Sequence, residues 1–257
     1  MIRDLLASIG FFTRFPLPAW LIGDRVALGF SGRAYWAVPL VGLGIGAVSG
    51  GVFVLAHWLN LPPLLAAILA VVAGLIITGA IHEDGLADCA DGLGIRGDQA
   101  RVLAKMREPT IGVFGTLALV VTILWRVLAL SLLPPLTGVY ALIMVGGMAR
   151  VGMAALTRQP FASSSGLHHQ SGSPSPLIYG LTLGQGVLLG WLGLGLGLWT
   201  PLSLVIMIVI LGLGLILIAR TASRKIGGIN GDYLGGSEQF CELVILSVIL
   251  QSVRLMP

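Results

Sequence analysis

Four acidic residues fall within nine positions of the stretch Gly79-Ala-Ile-His-Glu-Asp-Gly-Leu-Ala-Asp-Cys-Ala-Asp-Gly92: Glu83, Asp84, Asp88 and Asp91. If that stretch is helical, Asp84, Asp88 and Asp91 stand at i, i+4 and i+7, within about 60° of one another on one face. Glu83 lies to one side, and His82 and Cys89 point the other way. Carboxylates stacked in this way repel one another by roughly a few tenths of a kcal/mol per pair in water, and more at a membrane boundary. A divalent cation removes that repulsion, and an all-oxygen ligand set suits Mg²⁺, Mn²⁺ or Ca²⁺ rather than zinc. The expected metal ligands are Asp84, Asp88 and Asp91, with Glu83 beside them and Asp232 as a further carboxylate from a distant part of the chain.

The second polar island runs from Arg220 to Glu238. Arg224 and Lys225 precede Gly227 and Gly228, and Asn230-Gly231-Asp232 follows. Glycines let backbone N–H groups close on phosphate oxygens, and adjacent cations hold the charge. A third island, Lys105 to Gly115, offers Arg107 and Glu108, which either bind an anion or pair with each other. Ser163 to Gln170, with His168 and His169, reads as a polar loop. Arg126 and Arg150 stand inside apolar runs, where charges face a bundle interior or a cavity; Arg150 is the better substrate-binding candidate. Together these islands offer carboxylates for a cation and basic groups for an oxyanion.

The elements that position these groups follow from composition. Of 257 residues, 56% are hydrophobic and 10% charged, against about 25% charged in soluble domains; the mean hydropathy is +0.97. A soluble enzyme and a disordered chain are both excluded. At ~20 apolar residues per crossing, the expected fold is an all-α polytopic membrane bundle of six or seven helices, forming a single integral-membrane domain. The spans fall near residues 34–59, 61–81, 111–133, 136–156, 177–200 and 201–219, with a last, weaker segment near 240–253 that is short for a crossing. Pro62–Pro63, Pro134–Pro135 and Pro201 mark tight turns. Leu5 to Phe12 reads as a helix lying on the membrane surface, not as a signal peptide.

Twelve of the 15 Lys and Arg residues fall before span one and in the three connections that follow spans two, four and six. The intervening turns carry none. That asymmetry predicts a cytoplasmic N-terminus and cytoplasmic chemistry. Two cysteines provide neither a disulfide framework nor zinc spacing. The net charge of +4 needs no nucleic-acid partner.

The pattern His82-x-Asp84-Gly-Leu-Ala-Asp88-x-x-Asp91-Gly resembles the signature of the cobalamin synthase family, the adenosylcobinamide-GDP ribazoletransferases. Phe12-Thr-Arg-Phe-Pro16, Pro39-Leu-Val-Gly42, Met106-Arg-Glu-Pro-Thr-Ile-Gly-Val-Phe-Gly115 and Lys225-Ile-Gly-Gly-Ile-Asn-Gly-Asp232 resemble further family motifs, in the same order. Glu108-Pro109 departs from the pattern, which has Asp and a small or polar residue there. The resemblance implies a Mg²⁺-dependent enzyme of the bacterial inner membrane. It implies phosphoryl transfer in which a hydroxyl of α-ribazole, or of its 5′-phosphate, attacks the GDP-activated phosphate of adenosylcobinamide, releasing GMP. A carboxylate not saturated by metal, Asp91 foremost with Asp88 beside it, would then accept the hydroxyl proton. The lipid bilayer is then the other partner, and a homo-oligomer is compatible with the sequence. Two alternatives stay open. One is a CDP-alcohol-type phosphotransferase, although Asp88 stands where such enzymes carry Arg. The other is a cation or corrinoid transporter, whose acids should lie near the bilayer midplane.

Overall fold

The computed structural model describes residues 1–17, 30–162 and 172–255. The expected polar loop at Ser163–Gln170 lies outside them, apart from its flanks. Helix α1 (Ile2–Phe12) is followed by a short 3₁₀ turn, Gly32–Ala37, that runs into α2 (Val38–Trp58). Then come α3 (Pro63–Thr78), α4 (Ile81–Gly94), α5 (Gln99–Met106), α6 (Val113–Ser131) and α7 (Pro135–Ala155). The chain ends with α8 (Pro176–Gly195), α9 (Pro201–Ile226) and α10 (Gly231–Leu255). Among the described residues there is no strand; Phe161 and Ile229 form an isolated parallel bridge. The all-α reading therefore holds.

Six helices are long and apolar enough to cross a membrane, and the pair α3–α4 makes a seventh crossing if counted together. Proline begins α3, α7, α8 and α9, where its fixed φ suits the first turn and its missing N–H is not needed. That is why the turns at Pro62–Pro63, Pro134–Pro135 and Pro201 are so short. Two expectations need correction. The last segment is not a short run at 240–253: α10 has 25 residues, because seven of the nine residues Gly231–Gln239 are glycine or polar and lower the apolar signal, although most of them pack against protein. The second span, expected near 61–81, ends at Thr78 instead. Gly79 and Ala80 both adopt left-handed backbone (φ 63° and 56°), and α4 leaves α3 at 89°. We read α3 as the crossing and α4 as lying across its end.

Arg14 braces that elbow. Its N–H donates to the Ile77 carbonyl at 2.6 Å, and its side chain lies where a Cβ on Gly79 would sit. The motif Phe12–Pro16 thus holds the start of α4 in place; the Phe12 and His82 rings are 5.7 Å apart.

The bundle is tightest where α2 crosses α7. A Cβ at Gly42 would strike the Gly146 carbonyl, and one at Gly46 the Leu142 carbonyl. Apolar solvation cannot drive helices together in lipid, so close backbone approach at small residues does. By contrast α9 buries only Met207, Ala222 and Ile226 of its 26 residues. Its apolar surface is exposed, as a lipid-facing helix requires.

Candidate active site

Helix α4 packs across the start of α10 through two glycines. A Cβ on Gly85 would stand 2.9 Å from the Asp232 carbonyl oxygen, and one on Gly235 would stand 3.1 Å from the His82 carbonyl oxygen. Backbone contact this close brings Asp232 of α10 beside the acidic face of α4. Asp84 is exposed and Asp88 half-buried. Asp232 Oδ2 accepts from Asn230 Nδ2 at 2.8 Å. Burial pushes the Asp88 carboxyl up to about 7, and the charges of Asp232, Asp84 and Asp91 push the same way; only Lys105 opposes them. Burial among like charges disfavours the ionised form.

Not every acid of the stretch joins this face. Asp91 is buried, and its oxygens accept from the N–H groups of Gly112 (2.5 Å) and Gly115 (2.9 Å). It caps the start of α6, where orphan N–H groups point outward and a negative charge is favoured. Asp91, expected as metal ligand and base, thus has one backbone N–H on each carboxylate oxygen. Glu83 also turns away, into the bundle. Its Oε1 lies 2.7 Å from Arg126 and accepts from Gln239 Nε2 at 3.2 Å. Among the described residues no three His, Cys, Asp or Glu side chains close on a common point as a preformed metal cage.

The glycine loop after α9 differs from the expected phosphate cradle. Lys225 Nζ donates to the carbonyls of Ile95 (3.1 Å) and Leu93 (3.5 Å), capping the end of α4. Gly227 has φ 82° and forms the left-handed C-cap of α9, its N–H donating to Ser223, a role glycine fills without strain. Gly228 leaves room for the Pro160 carbonyl, and Ile229 pairs with Pro160 and Ala162. Asn230 Oδ1 accepts from the Tyr233 N–H at 3.0 Å and starts α10. Lys225, Gly227, Gly228 and Asn230 therefore have structural partners, whereas Arg224 and Arg107 are exposed. Arg107 ends α5, and Glu108 pairs with Lys105 (2.7 Å), not with Arg107. The acidic island, the Lys105–Gly115 stretch and the loop before α10 nevertheless meet at one end of the bundle.

Sequence reasoning missed a second constellation, buried inside the bundle. Arg126 of α6 lies 2.7 Å from Glu83 and 3.3 Å from Glu242 of α10. Arg150 of α7 lies 2.9 Å from Glu238 of α10, which lies 3.1 Å from His82 Nδ1. Arg150, proposed for substrate, is 2% exposed and belongs to this network. The groups line a cavity of about 40 Å³, into which His82 Nε2 and Arg150 Nε bring no hydrogen-bond partner among the described residues. The available signal was chemical: two arginines in apolar helices need counter-charges, and Glu238 and Glu242 share a face of α10 one turn apart.

A family model described as cobalamin-5-phosphate synthase matches residues 4–250. The chain is 35% identical to an adenosylcobinamide-GDP ribazoletransferase of Azorhizobium caulinodans, covering 99% of this chain and 97% of the relative. It is 37% identical to the enzyme of that name from Bradyrhizobium diazoefficiens, covering 96% and 93%. To the one from Shewanella piezotolerans it is 34% identical, covering 95% and 93%. No solved structure matches the chain. With its acidic helix, glycine contacts and membrane bundle in one continuous match, the chain belongs to the cobalamin-5-phosphate synthase family.

Proposed function

We propose that this chain joins α-ribazole, or its 5′-phosphate, to adenosylcobinamide-GDP in the last joining step of cobalamin biosynthesis. A ribazole hydroxyl oxygen bonds to the cobinamide-bearing phosphorus, the P–O bond to the GMP moiety breaks, and GMP and one proton are released. The observation that carries the reading is the set of three carboxylates, Asp84, Asp88 and Asp232, gathered by the Gly85 contact on the face that Lys105 and Arg107 flank. A diphosphate needs cationic charge on its oxygens, and its attacking hydroxyl needs a proton acceptor.

The carboxylates suit Mg²⁺. That ion takes one or two carboxylates plus substrate phosphates instead of an all-protein cage, and Asp84 and Asp88 make no side-chain hydrogen bond among the described residues. Asp84 and Asp232 would hold it, and it would supply charge neutralisation on the diphosphate. Asp88, with a carboxyl near 7 and free lone pairs, accepts the hydroxyl proton. Arg107 and Arg224, both exposed, meet phosphate oxygens. Lys225 holds the end of α4 instead.

We also place this face in the cytoplasm, and the bundle in a bacterial inner membrane, because the charged connections share one side. The test is to incubate the purified protein with adenosylcobinamide-GDP and α-ribazole, or its 5′-phosphate, with and without Mg²⁺. Metal-dependent release of GMP with a complete corrinoid is expected; a chain that forms neither product overturns the reading. A cysteine placed at Arg107, in a background without Cys89 and Cys241, should be labelled from the cytoplasmic side only.

A further inference from the structure

The first turn of α4 faces two ways. Asp84 points to the carboxylate face, whereas His82 and Glu83, 4% and 6% exposed, point into the bundle. Each inward side chain is held by a different helix set. Glu83 meets Arg126 of α6 and Gln239 of α10. His82 Nδ1 meets Glu238 of α10 at 3.1 Å, and Glu238 in turn meets Arg150 of α7 at 2.9 Å. Glu238 and Gln239 stand six and seven residues after Asp232 on the same helix. The buried network therefore ties together the two helices whose facing carboxylates make the candidate site.

We propose that His82 and Glu238 are positioning residues for the transfer reaction: their contact fixes α4 against α10 so that Asp84 and Asp88 stand within reach of Asp232. The proposal rests on the function proposed above. The Gly85 and Gly235 backbone contacts and the Glu83–Gln239 hydrogen bond set how near α10 lies, and the His82–Glu238 contact is the charged tether at the first turn of α4. The Lys225 contact lies at the far end of α4, and Gly79–Ala80 is a two-residue elbow of left-handed backbone. Without the first-turn contacts, a tilt of α4 about that elbow would separate the carboxylates. Holding groups closely enough to share one ion is a matter of fractions of an ångström, and a small displacement costs orders of magnitude in rate.

The test uses the full chain in detergent, with Mn²⁺ binding followed by its electron paramagnetic resonance signal beside Mg²⁺-activated turnover. His82→Ala should raise the Mn²⁺ dissociation constant and the Mg²⁺ activation midpoint about tenfold or more. His82→Asn, which returns a donor near the Nδ1 position, should recover most of the loss. Glu238→Gln should shift the same two quantities, and combining it with His82→Ala should add little, since both act through one contact. Wild-type metal midpoints in His82→Ala, or an equal shift in Ala and Asn variants, would overturn the positioning role. If His82→Ala does not fold, the His82→Asn and Glu238→Gln pair decides: a Glu238→Gln protein with a wild-type Mn²⁺ midpoint overturns it. Failure of wild-type protein to turn over with Mg²⁺ would instead strike the proposed function.

Discussion

Gly85 on α4 and Asp232 on α10 are in backbone contact: a Cβ on Gly85 would lie 2.9 Å from the Asp232 carbonyl oxygen and 3.0 Å from its Cα. Neither atom is the end of a flexible side chain, so the helices themselves must part to admit a methyl group. Gly85→Ala should therefore lower turnover at least tenfold while the protein stays folded. Near-normal turnover, measured as GMP release, would mean that the two helices need not be this close.

The Asp88 carboxyl is pushed up to about 7, first by burial and then by the charges of Asp232, Asp84 and Asp91. The reactive form is the carboxylate, so kcat/KM should fall as pH drops through the inflection, tenfold per unit at the limit. A bound cation favours the carboxylate, which puts the inflection at or below about 7. Asp88→Asn should lower kcat by about 10²–10⁴-fold and remove this limb of the profile. A variant that keeps the limb would move the proton-accepting role to another group.

Arg126 has two carboxylate partners, Glu83 and Glu242. Removing one side of a buried ion pair costs about 3–5 kcal/mol because the remaining charge is uncompensated. Arg126→Met should therefore lower the unfolding midpoint in detergent sharply, and adding Glu242→Gln should recover part of the loss. No recovery in the double variant would mean that Glu242 is not the charge left stranded.

The α2–α7 crossing makes a prediction about packing alone. Gly146 lies against the Gly42 carbonyl, and overpacking such a contact costs about 1–3 kcal/mol or more. Gly146→Leu should destabilise the bundle, whereas Gly180→Leu, where no neighbour lies within 4 Å of the Cβ position, should not. Equal unfolding midpoints for the two variants would contradict the crossing.

Lys225 and Arg107 should separate in kinetics. Lys225 donates to the carbonyls of Leu93 and Ile95, so Lys225→Met should loosen the end of α4 and lower stability with a modest change in KM. Arg107→Ala should instead raise KM for the GDP-bearing substrate roughly tenfold, the loss of one charge-assisted contact. The reverse pattern would return Lys225 to the phosphate.

The sequence is legible where one residue's neighbours along the chain determine its role. Asp84 and Asp88 share a face because α4 is a helix, and the prolines at residues 63, 135 and 201 start helices because their φ is fixed. It is not legible where the partner comes from elsewhere. Asp91 has the same spacing as Asp84 and Asp88, yet it caps α6, a contact that depends on how residues 95–112 return. Gly227 and Gly228 look like an anion loop, yet they end a helix and admit the Pro160 carbonyl. Ala80 gives no local sign of its positive φ, so the 89° turn could not be read from the run of apolar residues. Glu238 and Glu242 lie in a segment whose apolar content was too low to mark its start, although Arg126 and Arg150 already demanded such partners.

The buried network also has a consequence for how the chain enters the bilayer. Helix α10 is synthesised after α6 and α7, and it carries Glu238 and Glu242 into the apolar interior. An ionised side chain at the centre of a lone inserting helix costs about 2.5–3.5 kcal/mol, so α10 is a poor independent insertion segment. Arg126 and Arg150 are on α6 and α7, which emerge from the ribosome earlier and are waiting with unmatched positive charge. Insertion of α10 is thereby coupled to the prior assembly of α6 and α7. The completed acidic face at its start, Asp232 included, then exists only in a chain whose α6 and α7 have already found their places.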